Sequence, residues 1–543
     1  MGTRVTKNST PAVVKIVGGS SFGRYSKLNN EHTWNMYPSS GGDEQKSDVF
    51  MVNFPGYQKY IEILPEGECR GGYVSTRGDF IIVVVNQYVY KILPNRKAVQ
   101  LTPPLVTYTG EVSIAENLAS QICIVDGTNA YIYYYGSPNT TLVTQTLDAN
   151  LVPNYVEYHN SFFLFGNGIT TSVGSTWYVY FPSGNTSLVL QKVLALQTKS
   201  DFAVAVKKIP GQSNNVMVFG YTVSEIWTQV GGLQFYIRNP TRNVDYGCLS
   251  VSTIADNDEY LVWLGANEDS TPIIIAYNGQ QTMRISTDGI DHRLRKIKFP
   301  QQSTGEMYRS GGHLFYQLTF FNPADNWTLA YDFNTKLFIE LTDHRFNHHP
   351  ARIIMYFNGL RLFASLNNGS LYIIDSNINI INENVYGNLL PDPNLIFQIP
   401  RERITNSIRL VNAARFKVNS LSMTLEQGCD IEYQEAMQPT FIITEQGEFM
   451  LTEDGTALMI TEDSLYGSDF ESRYIPCIDL AISRDGGVTW SNYVRRKLHP
   501  LGHRQNELHW ESMGIFNDLQ FKFRFMSNVR WIVNNGQADL VTV

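Results

Sequence analysis

The chain has 543 residues, more than one ordinary hydrophobic core accommodates, which implies two to four domains or one large repeat architecture with an appendage. Only 17% of residues are charged while 13% are aromatic and 41 are Gly, a composition that favours many short strands and tight turns, so the expected class is all-β. Asp and Glu number 50 against 42 Lys and Arg, a net charge of −8 that argues against the general phosphate binding of a nucleic-acid-coating protein.

Residues 1–68 are expected to be a segment joining two larger units, broken at Gly18-Gly19 and Gly41-Gly42, with turn signals at Pro38 and Pro55-Gly56. Nothing at its start has the long apolar run of a secretory leader and no later run is long enough to span a membrane, so a protein made and kept in a reducing cytoplasm, or assembled into something there, is expected, without stable membrane insertion. The sequons at Asn139, Asn185 and Asn326 then read as chance. Cys69, Cys123, Cys248, Cys429 and Cys477 are widely spaced, lack any C-x-x-C pair and are expected as buried free thiols.

Over residues 69–378 one unit recurs: an apolar strand, a turn with Gly, Asn or Asp, and a second apolar strand. Examples begin at Phe80, Ser120, Ser161, Val216, Tyr260, His313 and Leu360, roughly every 40 to 55 residues, close to the length of a four-stranded propeller blade. The spacing predicts a β-propeller of about six or seven blades; a set of β-sandwiches would give shorter and less regular spacing. Residues 379–400, with Pro391, Pro393 and Pro400, are expected as the link out of the ring.

Residues 401–543 are predicted to form a C-terminal, β-sandwich-like platform. Leu519, Phe521, Phe523 and Phe525 alternate with Gln520, Lys522 and Arg524, the period of a half-buried strand. Inserted at 438–468 are three apolar-Thr-Glu units, expected as a protruding hairpin whose Glu448, Glu453, Asp454, Glu462 and Asp463 contact a partner, the alternative being a loop without a role. Ser483, Asp485, Gly487 and Trp490 make an S-x-D-x-G-x-T-W string, the Asp-box turn, whose side chains satisfy turn amides. Arg495, Arg496, Lys497 and Arg504 read as a charged contact surface.

Catalytic signatures are missing from the sequence: it has no G-x-S-x-G, H-E-x-x-H or phosphate-binding loop, and one Asp box does not make a sialidase. The string Asp343-His344-Arg345-Phe346-Asn347-His348-His349 matches no zinc-ligand spacing and reads as a polar loop between blades. His499, His503 and His509 belong with the basic surface. No enzyme activity, catalytic residue, cofactor or metal is expected.

Three groups of strings, taken in order, resemble the tail hub or nozzle proteins of short-tailed bacteriophages, also called packaged-DNA stabilisation proteins. They are Asn35-Met36-Tyr37-Pro38 with Phe54-Pro55-Gly56-Tyr57 and Cys69-Arg70-Gly71-Gly72-Tyr73; Asp245-Tyr246-Gly247-Cys248 with Ser252–Ala255, Val262–Gly265 and Met283–Thr287; and the Asp box with Arg495-Arg496, Trp510 to Gly514 and Phe521 to Phe525. The resemblance implies a homohexameric ring in the virion tail, below the head-to-tail adaptor and portal rings. It would retain packaged DNA, conduct the duplex during ejection without reading its sequence, and be closed by a needle, plug or fibres. On this reading the particle is assembled in the host bacterial cytoplasm, and the platform is expected to pack against the adaptor while the propeller stands outward. A different class of function, a carbohydrate-binding or hydrolysing propeller acting as a receptor-binding tail component, is compatible with the same all-β pattern.

Overall fold

A computed structural model describes residues 10–542 except 24–29, 41–48, 169–173, 270, 389–390, 411, 413, 428–476, 499–504 and 527–529. Seven sheets stand around a common axis, each contributing four successive positions from the axis outward. Their innermost strands are Cys69–Val74, Ser113–Glu116, Pro153–His159, Ala205–Lys208, Gly247–Cys248 with Ala255–Asp256, Ser303–Ser310 and Ala351–Phe357. The apolar pairs that dominate the sequence pattern are the two middle strands of each blade, for example Ile81–Val85 with Tyr88–Ile92 and Leu360–Ser365 with Gly369–Asp375.

The second strand of each blade is largely buried on both faces because it lies between two other blades. In Ile81–Val85, Ile81, Val83 and Val85 pack towards Met355, Phe357 and Leu362 of the seventh blade. Ile82 and Val84 pack towards Ile122, Ile124, Tyr131 and Tyr133 of the second. Seven such clusters fill the seven gaps, and each fully buried large side chain contributes about 1.5–3 kcal/mol. Near the axis the blades approach closely: a side chain at Gly71 would sit 2.6 Å from the Val112 carbonyl, so only Gly fits there.

The ring closes through the amino-terminal part of the chain. Gly56–Leu64 adds antiparallel to Gly369–Asp375 as the outermost strand of the seventh blade, pairing Ile61 with Leu371. The stretch 379–400, expected as a plain link, extends that sheet: Ile380–Asn382 pairs with Gly56–Leu64, and Ile396–Gln398 pairs with Ile380–Asn382.

The remaining strands form two sheets around a second core. One sheet orders Thr10–Val14, Gly536–Thr542, Phe416–Gln427, Trp531–Val533, Val49–Asn53 and Met36–Ser40, with Gln505–Phe516 also on Phe416–Gln427. The other runs from Asn30–Trp34 through Arg401–Ile404, Gln520–Met526 and Cys477–Ser483 to Val494–Lys497. Phe521, Phe523 and Phe525 are buried between them against Trp510, Trp531, Met36 and Val14. Segments from both ends of the chain thus build this unit, and its second sheet continues edge to edge into the sixth blade, where Trp34 lies parallel to Glu340. Cys69, Cys123, Cys248 and Cys477 are buried free thiols, while Cys429 lies outside the described residues.

Candidate functional site

The Asp-box string forms a tight turn after the strand Cys477–Ser483. The Gly487 amide donates to Ser483 Oγ at 2.8 Å, and the Val488 and Thr489 amides donate to Asp485 Oδ1 at 3.0 and 2.9 Å. The Thr489 hydroxyl donates to Asp485 Oδ2 at 2.6 Å; these donors, Thr489 first, hold the Asp485 carboxyl far below the ordinary carboxylate range. Gly486 and Gly487 take φ of 73° and 87°, where an L side chain is strained. The turn lies on Gln520, which alternation assigns to the open face but which is buried, its amide donating to the Asn30 and Thr405 carbonyls. Trp490 is half-buried, with the Lys522 ammonium 5.3 Å from its ring centre.

The turn leads into Val494–Lys497, the outer edge of the second platform sheet and exposed throughout. Arg495 makes a two-pronged pair with Asp479 at 2.8 and 2.9 Å, so its charge is already matched within the chain. Arg496 donates to the His509 carbonyl at 3.1 Å, and Lys497 is exposed beside it. Arg504 and the acidic residues Glu448, Glu453, Asp454, Glu462 and Asp463 lie outside the described residues.

Where propeller and platform meet, charges are buried and paired. Glu340, 1% exposed, takes His32 Nδ1 at 2.6 Å, the Trp327 indole at 2.9 Å and Arg293 at 3.1 Å. Burial alone pushes its carboxyl up, but His32, Arg293 and Trp327 together hold it below its ordinary value. Arg403, fully buried, donates to the carbonyls of Ile16 and Gly19 and to Glu31 at 2.7, 2.9 and 2.5 Å. Asn35, at φ 54°, links the units by donating to Thr342 Oγ1 and the Pro400 carbonyl, both at 2.8 Å. Asn35-Met36-Tyr37-Pro38 is therefore a joint.

On the propeller axis the innermost strands leave a cavity of about 240 Å³ lined by Tyr155, Lys207, Glu111, Glu306 and Arg352. Lys207 lies 3.1 Å from both Glu157 and Asp256, which outweigh the cost of its burial and keep it charged. Burial pushes the Glu111 carboxyl up to about 7 and that of Glu306 up to about 8. Arg70, below them, is spent on structure: it donates to the carbonyls of Asn86, Thr107, Thr109 and Gly110 at 2.7–2.8 Å.

The three imidazoles of the 343–349 loop are kept apart by separate partners. His344 stacks on Phe397, His348 Nδ1 lies 2.8 Å from Asn326 Oδ1, and His349 packs against Phe54, Tyr57 and Phe363. Burial pushes His349 down to about 3, so it is neutral. Among the described residues no group of three or more His, Cys, Asp or Glu is placed to hold a metal.

Closed apolar blades, a minor axial cavity and buried charge spent on joints define a β-propeller scaffold with an attached all-β platform. Residues 14–379 match the family model described as Bacteriophage P22 Gp10, beta-propeller, and the chain belongs to that family. It is a bacteriophage structural protein of propeller type. Among solved structures, the WD40 β-propeller domain of Doa1 is 12% identical at a TM-score of 0.36, covering 59% of this chain and 97% of its own. The Neurospora crassa Pan2 WD40 domain is 8% identical at 0.37, covering 57% and 89%. No curated protein matches the sequence.

Sequence reasoning found the Asp box, the basic edge and the middle strands. It missed the roles of Arg70, Arg403, Glu340 and Asn35, and of Arg401, which donates to the Asn379 carbonyl at 3.1 Å; all join segments apart in the chain. A signal was present in Arg401-Glu402-Arg403-Ile404, where alternating charge falls on a buried strand held between Asn30–Trp34 and Gln520–Met526.

Proposed function

We propose that this chain is the hub or nozzle subunit of a short phage tail, six copies forming a ring that retains packaged DNA and passes it during ejection. The family match over residues 14–379 carries this reading. An axial cavity of about 240 Å³, below the roughly 300–1,000 Å³ of a small-molecule site, leaves no room for a duplex within one propeller. The conduit therefore runs between subunits. A heterologous interface repeated six times closes on itself, and the net charge of −8 lets a duplex slide by giving its phosphates little to hold. The platform edge Val494–Lys497 faces the adaptor ring, with Arg496 and Lys497 as the charges of that edge that have no ion-pair partner among the described residues, and the propeller stands outward.

Light scattering on the purified full chain tests this. Six 61.6-kDa chains give a particle of about 370 kDa, alone or on the adaptor ring. Arg496→Glu with Lys497→Glu weakens adaptor docking while leaving the fold intact. A chain that stays monomeric in the presence of adaptor refutes the ring, and normal docking of the double variant refutes the orientation.

A further inference from the structure

Arg70 and Arg352 come from the innermost strands of the first and seventh blades, and both line the axial cavity of about 240 Å³. That volume is small for an organic ligand and ample for an ion with some water. Arg70 is 0% exposed and Arg352 3%, so two like charges are held out of water at one cavity. Buried charges of one sign call for a counter-charge. Among the described residues, the only ion pair that either makes is between Arg352 Nη1 and the partly exposed Glu68, at 3.6 Å and beyond hydrogen-bond reach. Burial pulls the Arg70 guanidinium below its ordinary range; Asp126 opposes this, and the like charge of Arg352 adds to it.

The remaining charges at the cavity do not fill the gap. Asp256 is taken up with Lys207, as is Glu157. Glu111 and Glu306 make no ion pair among the described residues, and burial raises them to about 7 and about 8, so near neutral pH they act largely as hydroxyl donors. Arg70 gives all three of its nitrogens to carbonyls and the Thr107 hydroxyl, and contributes only its field. Arg352 has donors to spare. Its Nε and Nη2 have no hydrogen-bond partner among the described residues and, unlike the enclosed Nη1, remain accessible. Those two nitrogens form the side-on fork of a guanidinium, the edge with which Arg495 grips both oxygens of Asp479.

We propose that the axial cavity holds one small tetrahedral oxyanion, inorganic phosphate or sulfate, gripped by the Arg352 fork as an internal counterion to the two arginines. Two of its oxygens accept from Nε and Nη2, and the others accept from the hydroxyls of Glu111 and Glu306. Chloride, a single acceptor atom, meets the charge without matching the fork. The site is independent of DNA retention and of the ring.

Titration calorimetry on the full chain tests this with sulfate, whose charge is constant over the range used, and with phosphate, each against chloride at equal ionic strength. Sulfate binds one site per chain and binds about tenfold or more tightly at pH 6 than at pH 8.5, because Glu111 and Glu306 take up protons. Arg352, Lys207, Glu157 and Asp256 surround those carboxyls; the nearby phenols of Tyr155, Tyr308 and Tyr316 and the Cys248 thiol are raised by burial, away from this range. Glu111→Gln binds sulfate more tightly than the parent at pH 8.5 and nearly equally at pH 6, a gain that a damaged fold does not produce. Arg352→Gln binds it about tenfold or more weakly, and Arg352→Lys, which keeps the charge without the fork, falls between. Should Arg352→Gln fail to fold, Glu111→Gln decides. The proposal is overturned if neither oxyanion binds more tightly than chloride, if folded Arg352→Gln binds as the parent does, or if Glu111→Gln gains nothing at pH 8.5. Particle mass, measured apart, bears on the hub reading alone.

Discussion

Glu306 shows how a single side chain responds to its place on the axis. Its carboxyl is pushed up to about 8 by burial, against roughly 4.3 in an unfolded chain. Between those values the folded protein holds a proton that the unfolded chain has released, so stability falls as pH rises from about 4.5 to 8. Glu111, raised to about 7, acts in the same direction over a narrower window. Glu306→Gln removes the larger part of this slope: its melting temperature at pH 8.5 lies a few degrees above the parent's, and the two converge as pH falls to about 4. Equal melting temperatures at pH 8.5 would show that the carboxyl is hydrated in the cavity. Glu306 was invisible in the sequence because Ser303–Ser310 carries Glu, Tyr and Arg without an apolar rhythm; only ring closure turns that strand towards a shared axis. The Asp box was legible because its donors and acceptors lie within seven residues of one another, from Ser483 to Thr489.

At the level of elements, what could be read was local. The middle strands announced themselves because most of their residues are buried on both faces and the runs are predominantly apolar. The innermost strands, such as Ala205–Lys208, and the outermost, such as Ser187–Ala195, have one polar or exposed side and merged with the turns. Least legible was Gly56–Leu64, since nothing in its residues says that its partner lies about 300 positions away. That pairing makes a clear prediction. Ile61→Pro removes a ladder donor opposite Leu371, so hydrogen exchange at Gly369–Asp375 accelerates strongly while Ile122–Val125 of the second blade keeps its protection. Unchanged exchange at Gly369–Asp375 would mean that the seventh blade holds without its outer strand.

For the molecule as a whole, propeller and platform are joined by a continuous sheet, by shared segments and by the buried charges of Glu340 and Arg403. The boundary expected at residue 401 is therefore not a place where the chain comes apart: Asn30–Trp34 sits between Leu337–Leu341 of the sixth blade and Arg401–Ile404 of the platform. Calorimetry of the full chain is expected to give one transition containing both units. Two resolved transitions, or a protease-resistant fragment spanning 69–378, would show that they are independent.

Ring closure by an early strand also sets an order of events during synthesis. Translation at about 5–20 residues per second leaves Gly56–Leu64 waiting roughly 15–60 s for Gly369–Asp375 to emerge. Thr10–Val14 waits longer still, until Gly536–Thr542 is made. For that interval the first strands of the nascent chain present open edges on a crowded ribosome, where neighbouring copies on the same message carry the same edges. The strands made late, Gly369–Asp375 and Gly536–Thr542, are thus the ones that end the exposure of those made early.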